Sequence, residues 1–150
     1  MKKDGFTLIE ILIAIALIVI IGGIAIITLK PGEQLARGRN AARASHIHTI
    51  LNAIWQNKSD NKSAIFDCGA GDIPTSATKM AVDALNYDIA PCLVPIYLPE
   101  MPYDPNAAGA HYAATTDYDT GYNIMLNAST SRITVSAPNA ELGETISVTR

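Results

Sequence analysis

Glu10 is a carboxylate set near the start of an otherwise apolar run that extends from Phe6 to Leu29. A charged side chain inside a membrane-length helix costs about 3 kcal/mol at the bilayer centre and less near an interface. It therefore needs water, a partner or a task. Lying one turn into the run, Glu10 is within reach of headgroup hydration. It also has a candidate partner. If the chain were cut between Gly5 and Phe6, the new α-amino group of Phe6 would be a cation in apolar surroundings. Glu10 of the same or a neighbouring chain would neutralise it.

The remaining chemistry-bearing residues form weaker patterns. Cys68 and Cys92 are an even pair. Export would place them in an oxidising space and favour a disulfide, closing a loop of about 25 residues and adding roughly 3.5 kcal/mol of stability. The alternative is a catalytic thiol served by a histidine, but no nucleophile motif surrounds Cys68. His46 and His48 are two apart on a helical stretch, so they face different ways and read as surface residues. Arg37, Arg39 and Arg43 lie among alanines without a matching apolar stripe. That pattern reads as a solvated face, inter-subunit ion pairs or a headgroup contact, with DNA as a further option. No G-x-S-x-G motif, serine triad order or catalytic carboxylate pair occurs, so no enzyme activity and no cofactor are expected.

The elements that must position these residues follow from composition and periodicity. The chain has 150 residues and a formal charge of −3, which gives no overall basic field and makes nucleic acid an unexpected partner. The mean hydropathy of +0.18 is positive because of the first thirty residues alone. The 24 residues from Phe6 to Leu29 would form a helix of about 36 Å, enough for a bilayer core of about 30 Å. Lys2 and Lys3 before the run place the N-terminus in the cytoplasm and everything after Lys30 outside. A cleaved secretory signal fits less well, because the run is too long and Thr28-Leu29-Lys30-Pro31-Gly32 offers no A-x-A-like site. Gly22, Gly23, Pro31 and Gly32 mark points of helix flexibility, or, for the glycine pair, of close helix contact.

Glu33 to Trp55 reads as a second helix, with Ile47, Ile50, Leu51 and Ile54 on one face. Asn57 to Ser63 is a polar turn that ends it. Ser76 to Tyr87 has helical character, and the prolines from Pro91 to Pro105 mark an irregular extended run. Segments 111–116, 122–126 and 132–136 alternate as strands, separated by turns at 117–121 and 127–131, and 145–149 adds a fourth. Ile124, Leu126, Ile133 and Val135 form the face that meets the second helix. The expected class is α+β, a long N-terminal helix on an antiparallel sheet of three to four strands. The expected division is a leader at 1–5, a membrane or filament helix at 6–30, an amphipathic helix at 31–56 and a globular head at 57–150.

The sequence MKKDG followed by FTLIE resembles the processing site of type IV prepilins and pseudopilins. The resemblance implies the type IV pilin fold, cleavage by a prepilin peptidase after Gly5, methylation of Phe6, and an assembly role for Glu10. It implies a single-pass precursor in the cytoplasmic membrane, then an extracellular filament built from copies of this chain at a pilus assembly platform, serving adhesion or motility. The apolar helix suits both states. Buried against its copies at about 25 cal/mol per Å², it is worth tens of kcal/mol gross, and an interface that does not close makes an open filament. The alternatives within the resemblance are a pseudopilin of a type II secretion system and a minor pilin for DNA uptake through the arginines. For the pseudopilin, Asp117 and Asp119, with Asp104 upstream, are weak calcium candidates; a hard cation needs more oxygen ligands than these supply.

Overall fold

The computed structural model describes residues 5–61 and 65–150. The leader residues Met1 to Asp4, and residues 62–64 at the end of the expected polar turn, lie outside the described residues. The chain divides into two compact units, Met1–Ala36 and Arg37–Arg150.

The first unit contains helix α1, Leu8–Leu29, and the opening residues of helix α2, Pro31–Asp60. Leu, Ile and Ala dominate α1, and Thr7 caps its start. It ends because Pro31 has no N–H to continue the ladder and occupies the first position of the next helix, where none is needed. Lys30 takes up the break in a left-handed conformation, φ 41°. Its ammonium also reaches Glu33 Oε1 at 2.8 Å. The interruption falls at Lys30, whereas Gly22, Gly23 and Gly32 are all helical. The expected long N-terminal helix is observed as α1 and α2 in succession, interrupted at Lys30.

In the second unit, α2 continues through Asp60, four residues past the expected boundary at 56. Its buried stripe is Asn40, Arg43, Ile47, Ile50, Leu51, Ile54 and Asn57. The spacing is that of one helical face. The apolar middle packs with Ile124, Ile133 and Val135 in a single core, and Leu126 lies partly buried against it. The polar ends bind loops. Asn57 Nδ2 donates to the carbonyls of Asp67 (3.1 Å) and Cys92 (3.3 Å), and its Oδ1 accepts the Asp67 N–H at 2.9 Å. Cys68 and Cys92 are disulfide-bonded, Cα–Cα 5.2 Å, so Asn57 and the disulfide tie the same two segments.

The sheet has five antiparallel strands: β1 Thr78–Ala81, β2 His111–Ala114, β3 Asp117–Asn127, β4 Arg132–Ala137 and β5 Ile146–Thr149. The order is β1-β3-β4-β5, with β2 also pairing β3. Two expectations are corrected. The stretch Ser76 to Tyr87 is not a helix: Thr78 to Ala81 pair with β3 and bury Met80 and Ala81 in the core. Pairing satisfied its backbone and overrode a weak helical pattern. The DYDTG segment is not a turn. Tyr118, Thr120, Tyr122 and Ile124 are all buried at period two, and the β2–β3 turn is Thr115-Thr116. Gly121 within β3 has φ +70°, and a Cβ there would lie 3.0 Å from Asp104 Cβ, so the strand needs glycine at this point. A short helix α3, Ala90–Leu93, carries Cys92. The Tyr118 hydroxyl accepts the Ala90 N–H (3.1 Å) and donates to Asp88 (2.9 Å), fixing α3 to β3.

The polar end of α2 near Arg43 organises the proline-rich and C-terminal segments. Arg43 donates from Nε and Nη2 to both Asp104 oxygens, at 2.8 and 2.9 Å, with both side chains fully buried. Its Nη1 reaches Asn40 Oδ1 (2.8 Å) and Glu141 Oε2 (2.9 Å). Arg39 clasps Glu141 with two bonds of 2.6 Å. Asn40 Nδ2 donates to the Glu141 carbonyl and to Glu144, and its Oδ1 accepts the Glu141 N–H. Asp104 also accepts the N–H groups of Asn106 and Ala107, both at 2.9 Å. Breaking a buried pair leaves an uncompensated charge, at about 3–5 kcal/mol. Arg43→Met should therefore destabilise the protein by roughly that amount in denaturant unfolding. Adding Asp104→Asn should recover part of the loss, because the orphaned carboxylate is gone while the loop N–H groups keep an acceptor. A double variant less stable than either single one would refute this reading.

Candidate functional site

The residues singled out at the N-terminus lie together at the start of α1. Gly5, Phe6 and Thr7 are outside the helix, and Thr7 has extended backbone, φ −81° and ψ 151°. Thr7 Oγ1 accepts the Glu10 N–H at 3.3 Å, and Glu10 Oε2 accepts the Thr7 N–H at 3.5 Å. The pair is a capping box, in which two N-terminal N–H groups of the helix are satisfied reciprocally. The Glu10 carboxylate is thus held over the first turn, one residue from Phe6, where the partially positive helix start also favours an anion. The sequence reading assigned Glu10 a cation and missed Thr7. The signal was present in the spacing T-x-x-E.

Phe6, at 79% of its full exposure, begins an apolar surface that continues along α1. Leu8–Ile26 has mean hydropathy 3.0, and none of this stretch is buried. It is long and apolar enough to cross a membrane. An uncovered surface of this size needs lipid or other protein around it.

The basic cluster on α2 is not a free surface. Arg43 is fully buried on Asp104, and Arg39 is engaged by Glu141; Arg37 is exposed. The expected solvated face is therefore corrected: two of its three arginines hold the fold together. The ion pairs set the acidity of their carboxylates. Burial alone would raise Asp104, but hydrogen bonds from Arg43 and the two loop N–H groups outweigh it and hold its pKa below the usual range. Glu141, bonded by Arg39 and Arg43, is held at about 2.

His46 is also not a surface residue. It is half-buried, with Nδ1 2.9 Å from the hydroxyl of the fully buried Tyr122. Burial pushes its pKa down against the opposing effects of the Tyr103 backbone and Asp104. His48 is exposed. The weak cation candidates are engaged elsewhere. Asp119 pairs with Lys79 and accepts the Gly121 N–H, and Asp117 lies 3.1 Å from His111. Among the described residues no cluster of three or more His, Cys, Asp or Glu side chains is placed to hold a metal. A depression of 640 Å³ beside the disulfide is lined by Asp67, Asp88, Ile96 and Tyr97. Its two cysteines are bonded to each other, so it offers no thiol nucleophile.

These directions give a pH profile. His46 titrates below its ordinary value in the folded protein, so stability is full above about pH 6.5 and falls as the unfolded chain takes up a proton below that. Asp104 and Glu141 contribute stability that is present above about pH 4.5 and lost as pH falls toward 2. His111, raised by the Gly109 carbonyl and Asp117, acts in the opposite sense near neutrality. Melting of the detergent-solubilised chain should fall in two stages on acidification, and His46→Gln should flatten the stage between pH 7 and 5. An unchanged slope in that variant would exclude His46 as its source.

Residues 1–26 match the prokaryotic N-terminal methylation motif. Comparison with curated proteins and with solved structures returned no match. The matched segment contains Gly5, Phe6, the Thr7–Glu10 capping box and most of the exposed apolar helix. The helix-on-sheet arrangement of the second unit is consistent with the type IV pilin fold. By its motif and the helix that follows, the chain carries the N-terminal signature of the type IV pilins and pseudopilins.

Proposed function

We propose that the chain is a structural subunit of a type IV pilus-like extracellular filament. It is made as a single-pass precursor of the cytoplasmic membrane, with its N-terminus in the cytoplasm. A prepilin peptidase cuts between Gly5 and Phe6, Phe6 is methylated, and an assembly platform polymerises the product. The observation that carries this reading is the uncovered apolar surface of α1 directly behind the methylation motif. A helix of this kind waits in lipid and is then buried against copies of itself.

The second unit fits a structural part. Arg39, Arg43, Asp104 and Glu141 are used in packing, and its cysteines are joined. The secretion-pseudopilin alternative drew on calcium at Asp117 and Asp119, whose bonds to His111, Lys79 and the Gly121 N–H count against it. The DNA-uptake alternative drew on an arginine array, of which Arg43 is unavailable.

Deleting the gene should remove surface filaments seen by electron microscopy, and filaments persisting without this chain would reject the major-subunit role. Gly5→Ile should leave an unprocessed membrane protein and no filaments. Glu10→Val and Glu10→Gln should both be cut yet assemble poorly, because both lose the charge that meets the incoming α-ammonium of Phe6. The glutamine keeps an acceptor for the Thr7 N–H. Normal filaments from it, with none from the valine variant, would show that capping and not charge governs assembly.

A further inference from the structure

We infer that Thr7 is a positioning residue for cleavage: its side chain ends the helix just past the Gly5–Phe6 bond and keeps that bond in non-helical backbone. The inference rests on the processing reading above.

The N–H of Glu10 decides where the helix begins. In a helix continued one residue upstream it would bond the carbonyl of Phe6. Here it turns to Thr7 instead, to the carbonyl at 3.1 Å and to Oγ1 at 3.3 Å, so the hydroxyl is a second acceptor that favours this boundary. The Ile11 N–H goes to the Thr7 carbonyl at 3.3 Å, the first full helical bond. Glu10 in turn accepts the Thr7 N–H, which holds Thr7 extended. Phe6 is exposed, and a Cβ added at Gly5 would meet no heavy atom within 4 Å. The bond to be cut is therefore approachable from several sides.

Hydrolysis adds a water oxygen to the carbonyl carbon of Gly5, breaks its bond to the Phe6 nitrogen, and delivers a proton to that nitrogen as it leaves as the amine. In the first turn of a helix the Gly5 carbonyl would accept an N–H four residues on, and the turn would cover its faces. The cap prevents this. Without the Thr7 hydroxyl, the Glu10 N–H would lose one of its two acceptors and the boundary at Thr7 would be held less firmly. The next upstream residue with a good capping side chain is Asp4. Extension to it would enclose Gly5 and Phe6 in helix.

The test uses the full-length chain in detergent micelles with a prepilin peptidase, comparing Thr7→Val, Thr7→Ser and Thr7→Asn. Valine keeps the shape and removes the cap; serine and asparagine cap at least as well as threonine. Thr7→Val should lower kcat/KM about fivefold, in proportion to the loss of an N-cap, and should move the backbone chemical shifts of Gly5 and Phe6 toward helical values. Serine and asparagine should be cut at the wild-type rate with unchanged shifts. Wild-type cleavage of the valine variant, slow cleavage with unmoved shifts, or an asparagine variant as slow as valine would each overturn the inference. Sequencing the product of the wild-type chain separates these results from a failure of the processing reading, in which no cut occurs at Gly5–Phe6.

Discussion

The second unit depends on a charge that the core cannot leave alone. Arg43 sits on the same helical stripe as Ile47, Ile50 and Ile54, and its guanidinium is removed from water. Such a group needs a planar acceptor pair and further bonds for its remaining donors. Asp104, Asn40 and Glu141 supply them. The requirement brings a proline-rich stretch and a C-terminal loop, neither with regular structure of its own, to the side of α2. At the other end of the stripe Asn57 and the Cys68–Cys92 disulfide do the same for the segment between α2 and α3. About half of this unit is loop or short element, and these polar anchors hold it in one arrangement while the isoleucines supply the burial.

The first unit follows an opposite logic. Among the described residues, none of Leu8–Ile26 is buried, so the stability of this helix depends on what surrounds it. A bilayer satisfies the apolar side chains, and the α-helical backbone satisfies its own polar groups. The same two properties let it pack against identical helices. The capping box at its start adds a sharp boundary. Thr7 and Glu10 complete the helix chemically, and Gly5 and Phe6 remain outside it. A carboxylate that first looked out of place in the apolar run is thus a backbone acceptor at the helix start.

Much of this was legible in order along the chain. The apolar run, the acid within it, the strands at 132–136 and 145–149, and the Ile47 to Ile54 face all rest on local periodicity, which the folded structure retains. The misreadings share one cause: residues that look polar or turn-like alone were recruited into the core by partners far away in sequence. DYDTG was read as a turn because of its Asp and Gly, yet Tyr118 and Thr120 continue the alternation that starts at Tyr122. Arg43 was set apart with a basic face, though it falls in phase with the isoleucines, as does Asn40. Their phase was a readable signal; the identity of their partners, sixty to a hundred residues away, was not.

The sequence by itself determined what depends on near neighbours: the helix from Leu8, its cap at Thr7, its end at Pro31, and the apolar surface that requires lipid or protein around it. Each follows from spacing, hydrogen-bonding capacity or a missing N–H within a few residues. Only the tertiary structure decided which charges are interior, which strand the segment around Met80 joins, and that the arginines of α2 are consumed by Asp104 and Glu141. Those outcomes depend on desolvation and geometry between distant segments. A buried ion appears in the sequence as a charge like any other, until the fold removes its water and names its partner.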